Sequence, residues 1–307
     1  MVKNLERKGF HVLPDALVDR ILAKHRMRFT GSISAEMSRT FKKVAGAVLI
    51  TDLELYHKQY PPKIALFSRL DEVGGLRPKI LWMDSSAMCG NDSPGLLGLG
   101  LIYKTDVLVN KAVWRLTKSL CNALEGKKTT EQGATLAGRF KPMFPYKSPL
   151  LNPSHKYKVL VVPFYNISTR ANAGQIMQLQ FVEQLMHHPA NFDVIEPGLI
   201  RNEFLNARII QWDGISIANA KLLFVLLDAD LIVTGKVLHY DDSGGTPRVN
   251  ITVIAIDRKS RQIVWSSSGY AKGDDGVYFF DTGQIKTAHL MASEMARWVV
   301  KDMIKRR

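Results

Sequence analysis

Hydrophobic and polar positions alternate most regularly between residues 229 and 276. Val249, Ile251 and Val253 alternate with polar neighbours, which indicates a strand with one dry face and one wet face. Two short polar runs rich in Asp, Ser and Gly interrupt the apolar positions, as turns require. The region therefore predicts an antiparallel meander of three strands, at 229–240, 249–256 and 262–268.

The same pattern occurs earlier in the chain. The segment KILWMDSSAMCGND, at 79–92, matches QIVWSSSGYAKGDD, at 262–275, with a constant offset of 183 residues. Identities that keep a near-constant offset through helices and strands indicate a duplicated module. Further matches follow in the same order, namely Pro61–Asp71 with Thr246–Asp257, Ala47–Tyr56 with Ala229–Tyr240, and Phe10–Leu22 with Phe192–Leu205.

Apolar residues at helical spacing lie on both sides of each meander. They predict helices at 15–28, 34–44 and 105–124 in the first half, and at 173–187, 198–206, 214–227 and 286–305 in the second. Strands are predicted at about 47–56, 63–70 and 79–85 in the first half. Strands at 157–164 and 192–196 open the second half, and parallel pairing is expected there. The order predicts the α/β (α+β) class, with two tandem repeats of a small mixed sheet that contains an antiparallel meander and is covered by helices.

The 307 residues fit two domains of ordinary size. We expect a first domain at 1–124, a Pro-rich linker at 125–156 and a second domain at 157–307. The first domain lacks the opening strand and most of the first helix of the second. Of the two explanations, a late start and a naturally incomplete domain, the late start is favoured, which leaves any export signal upstream of Met1.

Composition limits the function classes without choosing one. A hydrophobic content of 46% and a charged content of 23% favour globular cores over disorder. The net charge of +14 suits nucleic acid, anionic lipid or an acidic polymer as a partner. The basic residues are spread out, and no RNP-type or zinc-finger pattern accompanies them. No apolar run approaches the roughly 20 residues of a membrane-spanning helix.

The candidate chemistry is sparse. Adjacent carboxylates at Asp241–Asp242 and Asp274–Asp275 could hold a hard cation, but their positions beside glycines favour a turn role. His187 and His188 end a helix with no ligand three or four residues away. Cys89 and Cys121 can form one disulfide or remain buried thiols. The sequence predicts no catalytic, cofactor-binding or metal-binding residue.

One stretch is too apolar for an exposed loop. Pro94–Ile102 places five aliphatic residues between glycines, and it does not follow a GxGxxG spacing. The stretch either covers the edge of the core or forms a patch for a partner or a membrane surface. The candidate patch residues are Leu96, Leu97, Leu99, Leu101 and Ile102.

The second half, with VLVVPFYN, ADLIVTGKV and IDRKSRQIVWSSSG, resembles the periplasmic domain of the curli-secretion channel (CsgG) family and its LpoB-like outer-membrane lipoprotein relatives. The first half, with LERKGFHVLPDALVDRIL, KILWMDSS and GLLGLGLI, looks like small lipoproteins of the same superfamily. The resemblance covers about 5–120 and 157–305. A lipid-attachment cysteine and a signal peptide are missing from this chain, and its hairpins are too tight for the membrane hairpins of the channels.

The resemblance implies a non-catalytic protein of the bacterial cell envelope, periplasmic or outer-membrane-associated, with an assembly or secretion-associated role. Its expected partners are other envelope proteins or further copies of itself. No cofactor is expected. The alternative is a basic cytosolic protein that binds nucleic acid, for which net charge is the only support.

Overall fold

The computed structural model divides the chain into two compact units, unit 1 at Met1–Gln132 and unit 2 at Gly133–Arg307. Each unit has its own sheet, and no described strand of one sheet pairs with a strand of the other. The structure describes residues 1–24, 33, 35–75, 78–93, 95, 98–127, 132, 140–206, 214–242, 245–277 and 283–305.

Unit 1 contains a three-stranded antiparallel sheet in the order β1-β2-β3. Three helices precede the sheet and one long helix follows it. The described elements are α1 (Val2–Glu6), α2 (Asp15–Lys24), α3 (Ala35–Phe41), β1 (Ala47–His57), β2 (Lys63–Glu72), β3 (Lys79–Cys89) and α4 (Thr105–Leu124).

The sheet of unit 1 is covered on both faces, because Leu49 and Ile50 of β1, which point to opposite faces, pack in different clusters. On one face, Ile64, Leu66 and Trp82 pack against the apolar stripe of α4, which recurs at the three- and four-residue spacing of a helix. On the other face, Ile50 packs against residues of α2 and α3, among them Phe41.

Unit 2 contains a seven-stranded mixed sheet in the order β4-β10-β9-β8-β5-β7, with β6 paired to β8. Strand β5 is parallel to both β7 and β8, whereas β8, β9 and β10 form an antiparallel meander. The described elements are β4 (Met143–Lys147), β5 (Tyr157–Val161), β6 (Tyr165–Asn166), α5 (Ala173–Met186), β7 (Phe192–Val194), α6 (Pro197–Asn206), α7 (Ile217–Leu226), β8 (Leu231–Asp241), β9 (Arg248–Asp257), β10 (Ile263–Lys272) and α8 (Ala288–Ile304).

The core of unit 2 is built around the two central parallel strands. Leu160 of β5 and Ile232 of β8 pack with apolar residues of α6 and α7, including Leu223. Helices α5 and α8 contact each other, α5 contacts β5 and β8, and α8 contacts β9 and β10. The side chain of Thr287 caps α8 by accepting a hydrogen bond from the Leu290 amide at 3.3 Å.

The predicted α+β class is confirmed, as are the antiparallel meanders and the parallel pairing around β5. Three local predictions were incomplete. The short helix α1 was not predicted, and β3 and β10 continue past 85 and 268, where small polar residues suggested an end. The segment 125–156, expected to be a linker, contributes the edge strand β4. The last part of the helix predicted at 15–28, residues 25–28, lies outside the described residues.

The two meanders share their irregularities of register. The pairing of β1 with β2 shifts between Leu53 and Leu55, and that of β8 with β9 shifts between Val237 and His239. The pairing of β2 with β3 skips Leu81, and that of β9 with β10 skips Val264, 183 residues later. Because bulges insert one unpaired residue at a defined point, shared bulges place the two sets of strands in the same register.

Four hydrogen-bonded joints also recur in both units. The Gly90 amide donates to Pro62 O at 2.7 Å, and Ile102 N donates to Gly90 O at 2.7 Å. In unit 2 the Gly273 amide donates to Pro247 O at 2.9 Å, and Ile285 N donates to Gly273 O at 2.9 Å. These joints fix the exit of each meander toward its closing helix.

The other two joints use side chains. Asp92 Oδ2 accepts from Cys89 N at 2.6 Å, and Asp275 Oδ2 accepts from Lys272 N at 2.7 Å. The second of these joints is a hydrogen bond from a Trp indole of each meander to the closing helix. Trp82 Nε1 donates to Ser119 Oγ at 3.3 Å, and Trp265 Nε1 donates to Asp302 Oδ2 at 3.0 Å.

Candidate interaction surfaces

Titratable side chains do not converge on a metal site among the described residues, where no group of three or more His, Cys, Asp or Glu could hold an ion. Instead, one carboxylate of each acidic pair accepts from a backbone amide: Asp242 Oδ1 from Ala288 N at 2.6 Å, at the start of α8, and Asp275 Oδ2 from Lys272 N at 2.7 Å. Cys89 and Cys121 are buried thiols that do not form a disulfide. None of the described helices is both long and apolar enough to cross a bilayer.

The predicted aliphatic patch is divided by the structure. Leu99 is 86% exposed, whereas Leu101 and Ile102 are half-buried and Ile102 packs against the α4 core. Leu96 and Leu97 lie outside the described residues. The part of the stretch nearest α4 therefore covers the core edge, and Leu99 alone of the described patch residues points strongly to solvent.

Two tyrosines stack beside this stretch. The rings of Tyr60 and Tyr103 lie 5.0 Å apart at an interplanar angle of 19°, and both are more than half exposed. The hydrogen bonds from Gly90 to Pro62 and from Ile102 to Gly90 bring their backbones together. Sequence reasoning missed this pair because the two residues are 43 positions apart. Exposed stacked tyrosines offer flat, amphipathic contact area to a partner.

Helix α4 presents a polar and aromatic surface to solvent, opposite its buried stripe. Trp114 is 58% exposed, and the Lys118 ammonium lies 5.1 Å from the centre of its ring. We call this surface the α4 face; its exposed residues are Asp106, Val107, Asn110, Lys111, Trp114 and Lys118. The signal in the sequence was the pair of apolar residues at 107 and 114, which do not belong to the core stripe.

The corresponding surface of α8 in unit 2 is covered by α5. Gln180 Nε2 donates to His289 O at 3.2 Å, and Gln184 Nε2 donates to Ser293 Oγ at 3.3 Å. Glu294 and Arg297 form an ion pair there, with both side chains almost fully buried. The positions 183 residues earlier on α4 are exposed, namely Asp106, Asn110, Lys111 and Trp114. The surface of α8 that α5 covers therefore has an exposed counterpart on α4.

Unit 1 has a buried charged group between its sheet and helices. Arg69 Nε lies 3.1 Å from Asp71 Oδ2, and both side chains are almost fully buried. Burial raises the pKa of Asp71, and the neighbouring Arg69 lowers it less. Burial likewise raises the pKa of Asp52, again against a smaller effect of Arg69. Arg69 therefore does not fully compensate the burial of Asp52 and Asp71, and the charged forms of both carboxylates are disfavoured in the folded unit.

Unit 2 has an open cleft of about 310 Å³ at one end of its sheet. Its carboxylates accept hydrogen bonds from backbone amides: Asp257 Oδ2 accepts from Ser260 N in a turn at 2.7 Å, and Asp230 Oδ2 accepts from Lys158 N of β5 at 3.0 Å. Burial raises the pKa of Tyr157, and its hydroxyl oxygen accepts from Asn152 N at 2.9 Å. These bonds hold the cleft's shape and do not form a nucleophile with its base.

Strand β4, in the same unit, adds a second exposed surface. Phe144 is 87% exposed and has a positive φ of 51°, and Met143 and Tyr146 are about half exposed. The Lys147 ammonium is instead drawn inward, where it donates to the carbonyl of Asp302 at 3.2 Å. The exposed side chains of β4 thus lie on a strand whose last residue, Lys147, is bound to the end of α8.

No family model and no curated protein matches this chain. The chain is similar in fold to the PelC dodecamer of Paraburkholderia phytofirmans, at 18% identity over 53% of this chain and 96% of that chain, with a TM-score of 0.38. It is also similar to lipoprotein GNA1162 of Neisseria meningitidis, at 18% identity over 38% of this chain and 79% of that chain, with a TM-score of 0.32.

The C-terminal domain of LpoB from Escherichia coli is a third structure of similar fold. Its identity is 12% over 38% of this chain and 84% of that chain, with a TM-score of 0.29. These are likenesses of fold at low identity. The resemblance to the curli-secretion channel family stays a prediction.

Proposed function

We propose that this protein is a non-catalytic component of the bacterial cell envelope, in the periplasm or at the outer membrane, that works by binding other envelope proteins. The observation that carries the proposal is the α4 face, where an exposed Trp114 and Val107 lie among charged and amide side chains. Aromatic groups surrounded by polar ones are typical of protein-binding surfaces. The envelope location and an assembly or secretion-associated role rest on the sequence resemblance.

We also infer that the two units are copies of one module of the CsgG and LpoB-like superfamily. The support is the set of joints at matching positions, including the indole bonds of Trp82 and Trp265 and the bulges at 81 and 264. An experimental structure tests this inference by superposition of β1–β3 and α4 on β8–β10 and α8. A difference in register between the two meanders would contradict it.

The docking role can be tested by site-specific photocrosslinking in the native host. A photoreactive residue at Lys118, on the α4 face, is compared with one at Lys301, which is exposed 183 residues later on α8. We expect Lys118 to crosslink to a discrete envelope protein, and Trp114→Ser to remove that product. Crosslinks of equal yield from both positions, or a protein pool confined to the cytosol on fractionation, would contradict the proposal.

A further inference from the structure

Strand β4 contains a bulge that turns an aromatic side chain away from the protein. Its pairing with β10 shifts between Ser266 and Ser268, so that Phe144 and Pro145 together face a single residue of β10. A bulge re-aims the side chain at the extra residue. Phe144 is 87% exposed, and little of it is therefore covered by the rest of the chain.

The backbone at Phe144 does not suit the residue that occupies it. Its φ of 51° lies in the left-handed region, which Gly adopts freely and Asn tolerates, whereas a bulky residue is disfavoured there. Met143 and Tyr146, both about half exposed, flank it on the strand. They pair with residues 268 and 266 of β10, two positions apart, and so point to one face of the sheet. We call Met143, Phe144 and Tyr146 the β4 surface.

The backbone edge of β4 is unsuited to pairing with another strand. Among the described strands, β4 pairs only with β10, which leaves its other edge without a neighbouring strand. Pro145 lacks an N–H, and the bulge bends the strand; both features prevent pairing at a sheet edge. The β4 surface therefore offers side chains, and not main-chain hydrogen bonds, to whatever binds it.

The sequence around β4 carries charge of one sign. Residues 132–182 contain six Lys or Arg and no Asp or Glu. Among them, Lys141 is exposed and lies two residues before the strand begins. The net charge of +14 for the whole chain is thus especially one-sided here. Such a segment attracts an anionic surface and contains no carboxylate to repel it.

The end of α8 adds positive charge beside β4. Lys147 Nζ, on the last residue of β4, donates to Lys305 O at 2.6 Å, which holds the end of the helix against the strand. Lys301 and Lys305 are exposed there. The acidic residue of that turn, Asp302, accepts from an indole of β10 at 3.0 Å. Because a strand rises about 3.3 Å per residue, this contact lies roughly 10 Å along β4 from Phe144.

We propose that the β4 surface binds an anionic phospholipid bilayer. Phe144 and Met143 enter the apolar boundary, Tyr146 lies at headgroup level with its hydroxyl hydrated, and the lysines contact lipid phosphates. A bilayer yields to a protruding side chain, whereas a rigid protein partner needs a pocket that matches it. Lipid binding at the β4 surface is separate from protein binding at the α4 face and does not depend on it.

Co-flotation of the 307-residue chain with lipid vesicles tests the proposal. The anionic vesicles contain phosphatidylethanolamine and phosphatidylglycerol, and vesicles of phosphatidylcholine are the neutral comparison. We expect binding to the anionic vesicles that weakens as salt is added, because salt screens the attraction between lysines and phosphates. Binding to the neutral vesicles should be much weaker.

Substitutions at position 144 separate insertion of the ring from effects on folding. Phe144→Asn should weaken binding by about tenfold, since an apolar ring no longer enters the bilayer. Its thermal unfolding midpoint should not fall, because Asn tolerates the positive φ. Phe144→Trp should bind at least as well as the wild type, since Trp favours the bilayer interface. Val225→Asn, at a position of α7 that is 71% exposed, is the matched control and should weaken binding by no more than about twofold.

A charge variant gives a second test that leaves β4 unchanged. Lys141→Gln should weaken binding to the anionic vesicles by about fivefold at low salt, the effect of one lysine near an anionic surface. It should leave the weak binding to neutral vesicles as it is. An unchanged affinity for the anionic vesicles would contradict the contact between this lysine and lipid phosphate.

Three vesicle results would overturn the proposal: no binding to anionic vesicles at low salt, equal binding to neutral vesicles, or equal effects of Phe144→Asn and Val225→Asn. A photoreactive residue at position 144 tests the same surface in the native host. Crosslinks to phospholipid are expected. A crosslink to one discrete protein, with none to lipid, would assign the β4 surface to a protein partner and overturn the proposal.

Discussion

The meanders of unit 1 and unit 2 have the same joints and different neighbours. Both turn through a glycine packed on a proline, both skip one residue before the Trp strand position, and both tie that Trp to the closing helix. In unit 2 a strand and a helix cover the edge of β8 and the outer side of α8. Among the described residues of unit 1, no strand pairs with the corresponding edge, and the corresponding side of α4 is exposed. The joints are thus the same where the neighbours differ, so the flanking elements and not the joints decide which surfaces of the described residues are covered.

The largest expected difference concerns the buried charges of unit 1. Matching registers make Arg69 and Asp71 the counterparts of Ile254 and Ile256. Arg69→Ile alone should cost about 3–5 kcal/mol, because it leaves buried carboxylates unpaired. The double substitution Arg69→Ile/Asp71→Ile, which copies unit 2, should restore or exceed the original stability. Urea unfolding, monitored by amide exchange in β2, measures the stability of the single and the double variant. A double variant that loses as much as the two single substitutions together would contradict the account.

Substitution of the joint glycines, Gly90 in unit 1 and Gly273 in unit 2, should reduce stability nearly as much as Arg69→Ile does. A Cβ at Gly90 would lie 2.2 Å from Ile102 O, and one at Gly273 would lie 2.0 Å from Ile285 O. Because these neighbours are backbone atoms, either Gly→Ala change should cost about 3 kcal/mol. Gly46→Ala is the matched control, since nothing lies within 4 Å of its Cβ, and it should change stability by less than about 0.5 kcal/mol. Thermal unfolding measures all three, and a tolerated Gly90→Ala would contradict a shared joint.

Loss of the indole hydrogen bond should cost less stability than the glycine substitutions, and the cost should differ between Trp82 and Trp265. Trp265→Phe removes a bond to a carboxylate and should cost about 1.5–3 kcal/mol, whereas Trp82→Phe removes a bond to a hydroxyl and should cost about 0.5–1.5 kcal/mol. Double-mutant cycles with Asp302→Ala and Ser119→Ala isolate each pair. Coupling energies of zero would mean that the indoles act through packing alone.

The smallest expected effect is a dependence on pH in unit 1. Burial raises the pKa values of Asp52 and Asp71 above the ordinary value, so the folded state favours their neutral forms. Their charged forms therefore destabilise the fold at neutral pH, and that cost disappears as the pH falls through the raised values toward about 4. Asp52→Asn should stabilise unit 1 at pH 7 and should make its free energy of unfolding depend less steeply on pH. Stability curves of the wild type and the variant test the sign; a variant less stable than the wild type at pH 7 would contradict it.

Periodicity predicted most elements of both meanders and of α4 and α8 because their core residues recur at strand or helix spacing. The sequence did not predict β4, since Pro145 argues against a strand interior, although an edge strand tolerates it. The ends of β3 and β10 were placed too early because buried serines read as the start of a turn. The exposure of Trp114 could not be predicted from α4, since it depends on whether another helix lies alongside, as α5 does on α8.

Amide hydrogen exchange of the free 307-residue chain tests the central contrast between the open and the filled edge most directly. About half of the amides in 47–53 should exchange rapidly, because only those facing β2 are paired, while 231–237, paired on both sides, should remain protected. Equal protection of the two segments would mean that the edge of β1 is already occupied, and the open-edge account would be wrong.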